Sequence, residues 1–266
     1  MRALTFIIRF ISAQFKEHTQ RLTRRTYFIP PPSTVLGVFG AILGVRREGL
    51  RELALKVLAG AEMVDLDGHI VTLARIYKLD KELPRLKSLL KRYYAAFQDE
   101  ESKTEALKQV QELFTIKESE ELYKPEYKFA IASHDEALIE EGLRRLRQLD
   151  FEHDLFGGND YHLVEFVGEP KPAIVEKSCY GTGYCKLEDF ETVASDEFSI
   201  VMRGDRISLQ QPVVIPVMFL AKVNSKYVQV YGAKIKTKRE IEVVNDGESS
   251  IFIHNTEPFL VIRGME

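Results

Sequence analysis

One stretch, residues 15–44, FKEHTQRLTRRTYFIPPPSTVLGVFGAILG, constrains this chain more than any other. It begins with a loop that carries Lys16, His18, Arg21, Arg24 and Arg25, with Glu17 as its one acid. Pro30, Pro31 and Pro32 follow as a stiff extended segment, since proline fixes φ and has no N–H to give a ladder. A helix is predicted to start at Ser33-Thr34, with Ser33 as its N-cap. Val35, Leu36, Phe39, Ile42 and Leu43 fall on one stripe of that helix. Glycine inside a helix costs about 1 kcal/mol against alanine. Gly37, Gly40 and Gly44 therefore imply close packing, with Gly44 as the C-terminal cap. Upstream, residues 3–12 are apolar but for Thr5 and Arg9 and read as a buried strand.

Strand, basic loop, proline stop and glycine-containing helix can hold a polyanion against a helix N-terminus, where N–H groups and the dipole favour negative charge. Arginine grips phosphate bidentately, and Tyr27 or Phe28 would stack on a base. The competing reading is a solvated loop whose arginines pair with acids elsewhere. The residues alone leave the two open.

Residues 46–61 read as a second helix, and a turn at Asp67-Gly68 opens a strand over 69–78. Residues 81–121 are rich in Lys, Glu, Leu and Gln, lack glycine, and read as two solvated helices joined near 98–103. A strand at 126–133 leads to Asp135, the cap of a helix over 136–149 whose apolar face is Leu138, Leu143, Leu146 and Leu149. A tight turn at 156–160 and a strand at 161–167 follow. With 81–121 removed, the order is βαββαβ, the ferredoxin-like or RNA-recognition topology, so the expected class is α+β. After Gly168 the pattern changes to short β runs at 213–223, 227–236, 240–244, 250–254 and 259–263. The predicted division is 1–167, with an insertion at about 79–124, and a β-rich region 168–266.

Gly157-Gly158-Asn159 falls between the second helix and fourth strand of that core, where glycine lets a nucleic-acid backbone come close. Most such turns are only turns, and the glycine-aromatic run at 180–184 has the same ambiguity. The 266 residues have 45% hydrophobic content, enough for a core, and a formal net charge of −3. That sum argues against a globally basic nucleic-acid binder, but screening confines surface fields to about 10 Å, so local clusters decide. Cys179 and Cys185 read as plain thiols. A disulfide across so short a loop would be strained, and two cysteines without paired histidines make no zinc site. No metal or cofactor is expected. Met1-Arg2 leads into an apolar run broken by Arg9, which is not a secretory pattern. No apolar run approaches the roughly 20 residues of a membrane span, and a cytoplasmic location is expected. HExxH, Walker and GxSxG patterns are missing from the sequence. Metal-independent RNA cleavage needs a general base and a cation. Tyr127, Lys128 and His134 are the set to weigh, against the commoner structural role of lone histidines.

Residues 6–44 resemble the N-terminal signature of the fifth CRISPR-associated (Cas) protein family, in the RAMP superfamily. The resemblance is carried by the apolar strand, Phe15, a basic loop ending in Arg25-Thr26-Tyr27, then Pro30-Pro31-Pro32-Ser33, and an apolar helix ending in Leu43-Gly44. It implies a modified RNA-recognition fold with a thumb insertion and a variable β-rich C-terminal region. It implies a non-catalytic subunit of Cascade, the type I surveillance complex of antiviral defence, that binds the 5′ handle of CRISPR RNA (crRNA) and caps the complex. The thumb would touch the backbone subunit of the seventh Cas family, and the body the large subunit. In one subtype the family member is itself an endoribonuclease that cuts precursor RNA with Tyr, Lys and His. The expected RNA contacts here are Lys16, His18, Arg21, Arg24, Arg25, Tyr27, Ser33, Gly157, Gly158 and Asn159. Cleavage of precursor RNA, and protein interaction without RNA contact, remain the alternatives.

Overall fold

The computed structural model describes all residues except 18–22, 78, 97–98, 113, 159–160, 195–198, 204–205, 211–212, 220–224 and 261–266. The chain forms two compact units. One comprises Met1–Thr19, Arg25–Ile70 and Glu121–Glu266, and the other Gln20–Arg24 and Val71–Glu120.

The frame of the first unit is β1 (Arg2–Phe10), α1 (Pro32–Leu43), β2 (Val57–Asp65), β3 (Glu126–Ser133), α2 (Glu136–Gln148) and β4 (Val164–Val167). Two long strands follow, β5 (Lys171–Lys186) and β6 (Ser225–Asn245). β1 pairs antiparallel with β3 along one edge and with β4 and the start of β5 along the other. β3 in turn pairs antiparallel with β2. Strand alternation sends Leu4, Phe6, Ile8 and Phe10 of β1, with Tyr127, Phe129 and Ile131 of β3, to one face. There they meet Val35, Leu36, Phe39 and Ile42 of α1 and Ile139 and Leu146 of α2 in one core. A Cβ on Gly142 would come within 2.7 Å of the Phe39 ring, so this glycine sets how closely α2 approaches α1.

The other face is also covered. Ala3, Ala130 and Ala132 pack beneath Val244, Ile251 and Ile253. Val244 and Ile251 belong to the same sheet, which runs on from β1 through β5 to β6. The sheet curls far enough to return to β2: a Cβ on Gly60 would meet the Phe252 carbonyl oxygen at 2.0 Å. The result is a mixed α/β fold with one large sheet.

Several sequence expectations hold. β1, β3 and α2 lie where the periodicity places them, and Gly44 caps α1 in the left-handed region at φ 74°. Others are corrected. Residues 46–61 are not one helix: a 3₁₀ turn (Arg47–Gly49) and a short helix (Leu50–Ala54) end before β2, whose alternating burial belongs to a paired strand. α1 begins at Pro32 with Pro31 as its N-cap, so Ser33 is no cap. Leu149 is 61% exposed and stands in the left-handed region as the C-cap of α2, off the apolar face. Residues 180–184 are part of β5, not a loop, and 227–236 and 240–244 are one strand. Phe259 sits in a 3₁₀ turn rather than a strand. Cys179 and Cys185 both stand on β5 as thiols, and burial pushes Cys185 up to about 12.

In the second unit, helices Leu79–Ala95 and Glu100–Glu112 follow the strand Gly68–Tyr77. Asp99 caps the later helix by accepting from the amides of Glu101 and Ser102 at 3.1 and 3.2 Å. Phe114–Tyr123, expected to be helical as far as residue 121, is a strand that pairs with Gly68–Tyr77. Distant partners override a Glu-rich composition that locally favours helix. Among the described residues, no helix is long and apolar enough to cross a membrane.

Candidate nucleic-acid interface

The basic loop springs from a short ribbon. Phe15–Lys16 pairs antiparallel with Thr26–Tyr27, and the Glu17 amide donates to the Arg25 carbonyl at 2.9 Å. Alternation buries one side of this ribbon. The Phe15 ring meets Tyr127 edge-on at 5.5 Å, and the Tyr27 ring meets Phe219 at 5.0 Å. The Tyr27 hydroxyl donates to the Met218 carbonyl at 2.6 Å. Thr26 Oγ1 accepts from the Phe15 amide at 2.9 Å, so the side chain staples its own ribbon. Lys16, across the ribbon from Thr26, and Arg25 are exposed.

The expected contacts are therefore only partly brought together. Lys16 and Arg25 are both exposed at the ribbon. Arg24 belongs to the second unit, where it pairs with Ser119. His18, Arg21 and Asn159 lie outside the described residues. Tyr27, expected to stack on a base, is 3% exposed and committed to the core. Phe28 is half-buried, its ring 5.4 Å from that of His69. At the N-terminus of α1, Pro31 and Pro32 have no N–H, and the amides of Thr34 and Val35 both donate to the Pro31 carbonyl. That leaves fewer donors for an anion near Ser33 than the sequence promised.

Gly157 and Gly158 do permit a close approach, but to the chain's own backbone. Gly158 has φ 112°, and a Cβ there would meet the Gln14 carbonyl oxygen at 2.0 Å. The Gln14 amide donates to the Gly157 carbonyl at 2.8 Å, and the Gly157 amide to that of His162 at 2.8 Å. The turn thus clamps the segment that leads into the ribbon. His162 reinforces the clamp: fully buried, its Nδ1 lies 2.6 Å from Ser12 Oγ, and burial lowers its pKa. Its Nε2 is buried without a partner. Sequence reading passed over His162; a lone histidine in the apolar run YHLVEF was the available signal. Between this turn and α1 runs a groove of about 290 Å³ lined by Thr34, Gly37, Leu155 and Phe156.

Tyr127, Lys128 and His134 do not converge. Tyr127 points into the core and donates to the Phe28 carbonyl at 2.8 Å. Lys128, next along the strand, points to the opposite face, 3.0 Å from Asp246. His134 is exposed beyond the end of β3. Burial works against the Lys128 charge, but Asp246 and Glu62 outweigh it and hold its pKa above the ordinary value. An RNA-recognition sheet stacks bases on exposed aromatics. Here the centre of the corresponding face is alanine, covered by Val244 and Ile251.

A rolled sheet backed by two helices, with a basic ribbon pinned to its core, defines the class: a mixed α/β protein that presents cations on a rigid support. The chain belongs to a family of CRISPR-associated proteins, since the family model described as CRISPR-associated protein (Cas_Cas5) matches residues 4–230. A chain of a CRISPR RNA-guided surveillance complex is 13% identical, with 88% of this chain and 91% of that chain covered at a TM-score of 0.43. A CRISPR protein from Archaeoglobus fulgidus is 13% identical, with 96% and 100% covered at a TM-score of 0.45. A solved Cas protein is 15% identical at a TM-score of 0.35; the match covers 60% of this chain and 58% of that one, less than two thirds of its length. No curated protein matches the sequence.

Proposed function

We propose that this protein is a non-catalytic, RNA-binding subunit of a type I CRISPR surveillance complex, and that the ribbon bearing Lys16 and Arg25 holds the 5′ handle of the CRISPR RNA. The observation that carries this reading is that ribbon, in a chain of this family: its inner residues are locked in the core, so its cations are presented with little entropy left to lose. The strand order β4–β1–β3–β2, with α1 and α2 on one face, supports a ferredoxin-like βαββαβ core. The second unit would be the thumb that meets the backbone subunit, and the rest of the chain would meet the large subunit. A cytoplasmic location follows from that role.

Incubation with labelled CRISPR repeat RNA in EDTA tests the proposal. The expected result is a gel shift with intact RNA, weakened about tenfold or more when salt rises from low to moderate. Lys16→Ala/Arg25→Ala should weaken binding and flatten the log–log salt slope by roughly 1.4, two contacts at about 0.7 each for a single strand. Unchanged affinity in the double variant would turn the reading towards protein interaction alone. A single clean cut would make the protein a processing nuclease.

A further inference from the structure

On the sheet face away from α1 and α2, Ile7, Lys128 and Glu62 stand in one row across β1, β3 and β2. Ile7 is in register with Lys128, and Lys128 with Glu62. The centre of this face is closed by Val244 and Ile251, but the row is not, because β5 and β6 part company above it. Gly181 pairs with Ile235 and Gly183 with Val230, so Thr182 alone on β5 stands against residues 231–234 of β6. Thr182 bridges to Ile251 instead, its hydroxyl donating to the Ser250 carbonyl at 3.1 Å. Gly232 turns the looped-out residues at φ 81°. What opens is a cavity of about 630 Å³, floored by Ile7, Lys128 and Glu62 and walled by Thr182, Ala233 and Lys234.

The cavity has a definite chemical bias. The Lys128 ammonium is held by Asp246 at 3.0 Å, Ser249 Oγ at 3.2 Å and Glu248 at 3.4 Å, but lies 4.0 Å from Glu62. Glu62 accepts from the Ser249 hydroxyl and lies beside that of Thr182, whose proton goes to the Ser250 carbonyl. A carboxylate has about four acceptor sites, so these hydroxyls leave room for a pair of N–H groups. In the lining, Glu62 and Glu248 balance Lys128 and Lys234, which suits a neutral guest better than an ion. The size falls in the range of small-molecule sites, roughly 300–1,000 Å³, with apolar walls and a few convergent polar groups.

We propose that this cavity takes one unstacked, amino-bearing nucleobase of the bound RNA, its N–H edge on Glu62 and its ring against Ile7 and Ala233. Guanine suits it best, because its N1–H and N2–H₂ lie side by side as the two oxygens of a carboxylate do. The inference rests on the RNA-binding reading and adds a base-specific site, apart from the phosphate-gripping ribbon.

The test is an abasic scan. Each nucleotide of the repeat RNA is replaced in turn by an abasic residue, and affinity is measured for the full chain and for Glu62→Gln. The expected result is one position at which base removal weakens the unsubstituted protein tenfold or more and the variant less than threefold. Ala233→Phe, which fills the cavity from another strand, should erase the same position; it serves as the second variant if Glu62→Gln melts early. Parallel scans in all three proteins, with salt-dependent binding intact, would overturn the base site and leave the proposed function standing. No RNA binding by the unsubstituted protein would overturn both.

Discussion

Gly158 and Gly37 border the same groove, and their backbones ask opposite things of a side chain. Gly158 holds φ 112° with the Gln14 carbonyl where a Cβ would go. Gly37 is an ordinary helical residue with nothing within 4 Å of a Cβ. Gly158→Ala should therefore destabilise by roughly 2–4 kcal/mol, through strain and displaced backbone. Gly37→Ala should stabilise by about 0.5–1 kcal/mol. Urea titrations of the two variants read this directly. The histidines give a second residue-scale expectation. Burial lowers the His254 pKa to about 4, although its ring bonds the Tyr184 carbonyl at 2.9 Å, and burial lowers that of His162 too. A base whose folded pKa is depressed leaves stability intact above its unfolded pKa, near 6.5. Stability is then lost as pH falls towards the folded value. Between pH 7 and 5 the urea midpoint should drop, His254 contributing on the order of 2 kcal/mol by pH 5. Burial raises the Glu62 pKa, so Glu62 acts in the opposite sense above about 4.5. His254→Gln isolates the histidine: its pH profile should be flatter than that of the unsubstituted chain.

At the scale of elements, the ribbon separates a structural aromatic from functional cations. Tyr27→Phe removes the hydroxyl and its bond to Met218, so it should cost about 1 kcal/mol and leave RNA affinity as it was. A tenfold loss of affinity in this variant would mean that the Tyr27 ring leaves the core on binding. The sequence made β1, β3, α1 and α2 legible because each combines a clean period with a local punctuator: the prolines before α1, Gly44 after it, Asp135 before α2. It also made legible that Lys16 and Arg25 are cations in a loop. It could not show that Tyr27 turns inward, because the period of a two-residue ribbon is too short to read. β2 and Phe114–Tyr123 were hidden for another reason. Both hold residues that favour helix, and both become strands only through partners far away in the chain. β5 was masked by the glycines of its bulges.

At the scale of the molecule, the sheet does not end where the composition changes. Residues after 167 contribute β5 and β6 to the sheet that contains β1 and supply Val244, Ile251 and Ile253 to its covered face. They also supply Asp246, whose fully buried carboxylate accepts from Thr5 Oγ1 at 2.9 Å and from the amides of Glu248 and Ser249 and pairs with Lys128 at 3.0 Å. Burial opposes that charge, but these four donors hold the Asp246 pKa at about 2. Lys128→Met leaves the carboxylate buried without its cation and should cost roughly 3–5 kcal/mol. Lys128→Met/Asp246→Asn should recover a good part of that loss, because the uncompensated charge is gone. The same geometry decides how the chain divides. A fragment of residues 1–167 would bare Ala3, Ala130 and Ala132 and take from Lys128 its partners Asp246 and Glu248, leaving it Glu62 at 4.0 Å. It should therefore fail to unfold cooperatively by calorimetry, whereas the full chain, with the first unit sharing one sheet, should show a main transition carrying both β1 and β6. Hydrogen exchange by mass spectrometry checks the point segment by segment. Equal protection of β1, β3 and β6 is the expected outcome, and a fragment as protected as the whole would show that the strands after 167 are an addition to a core already complete.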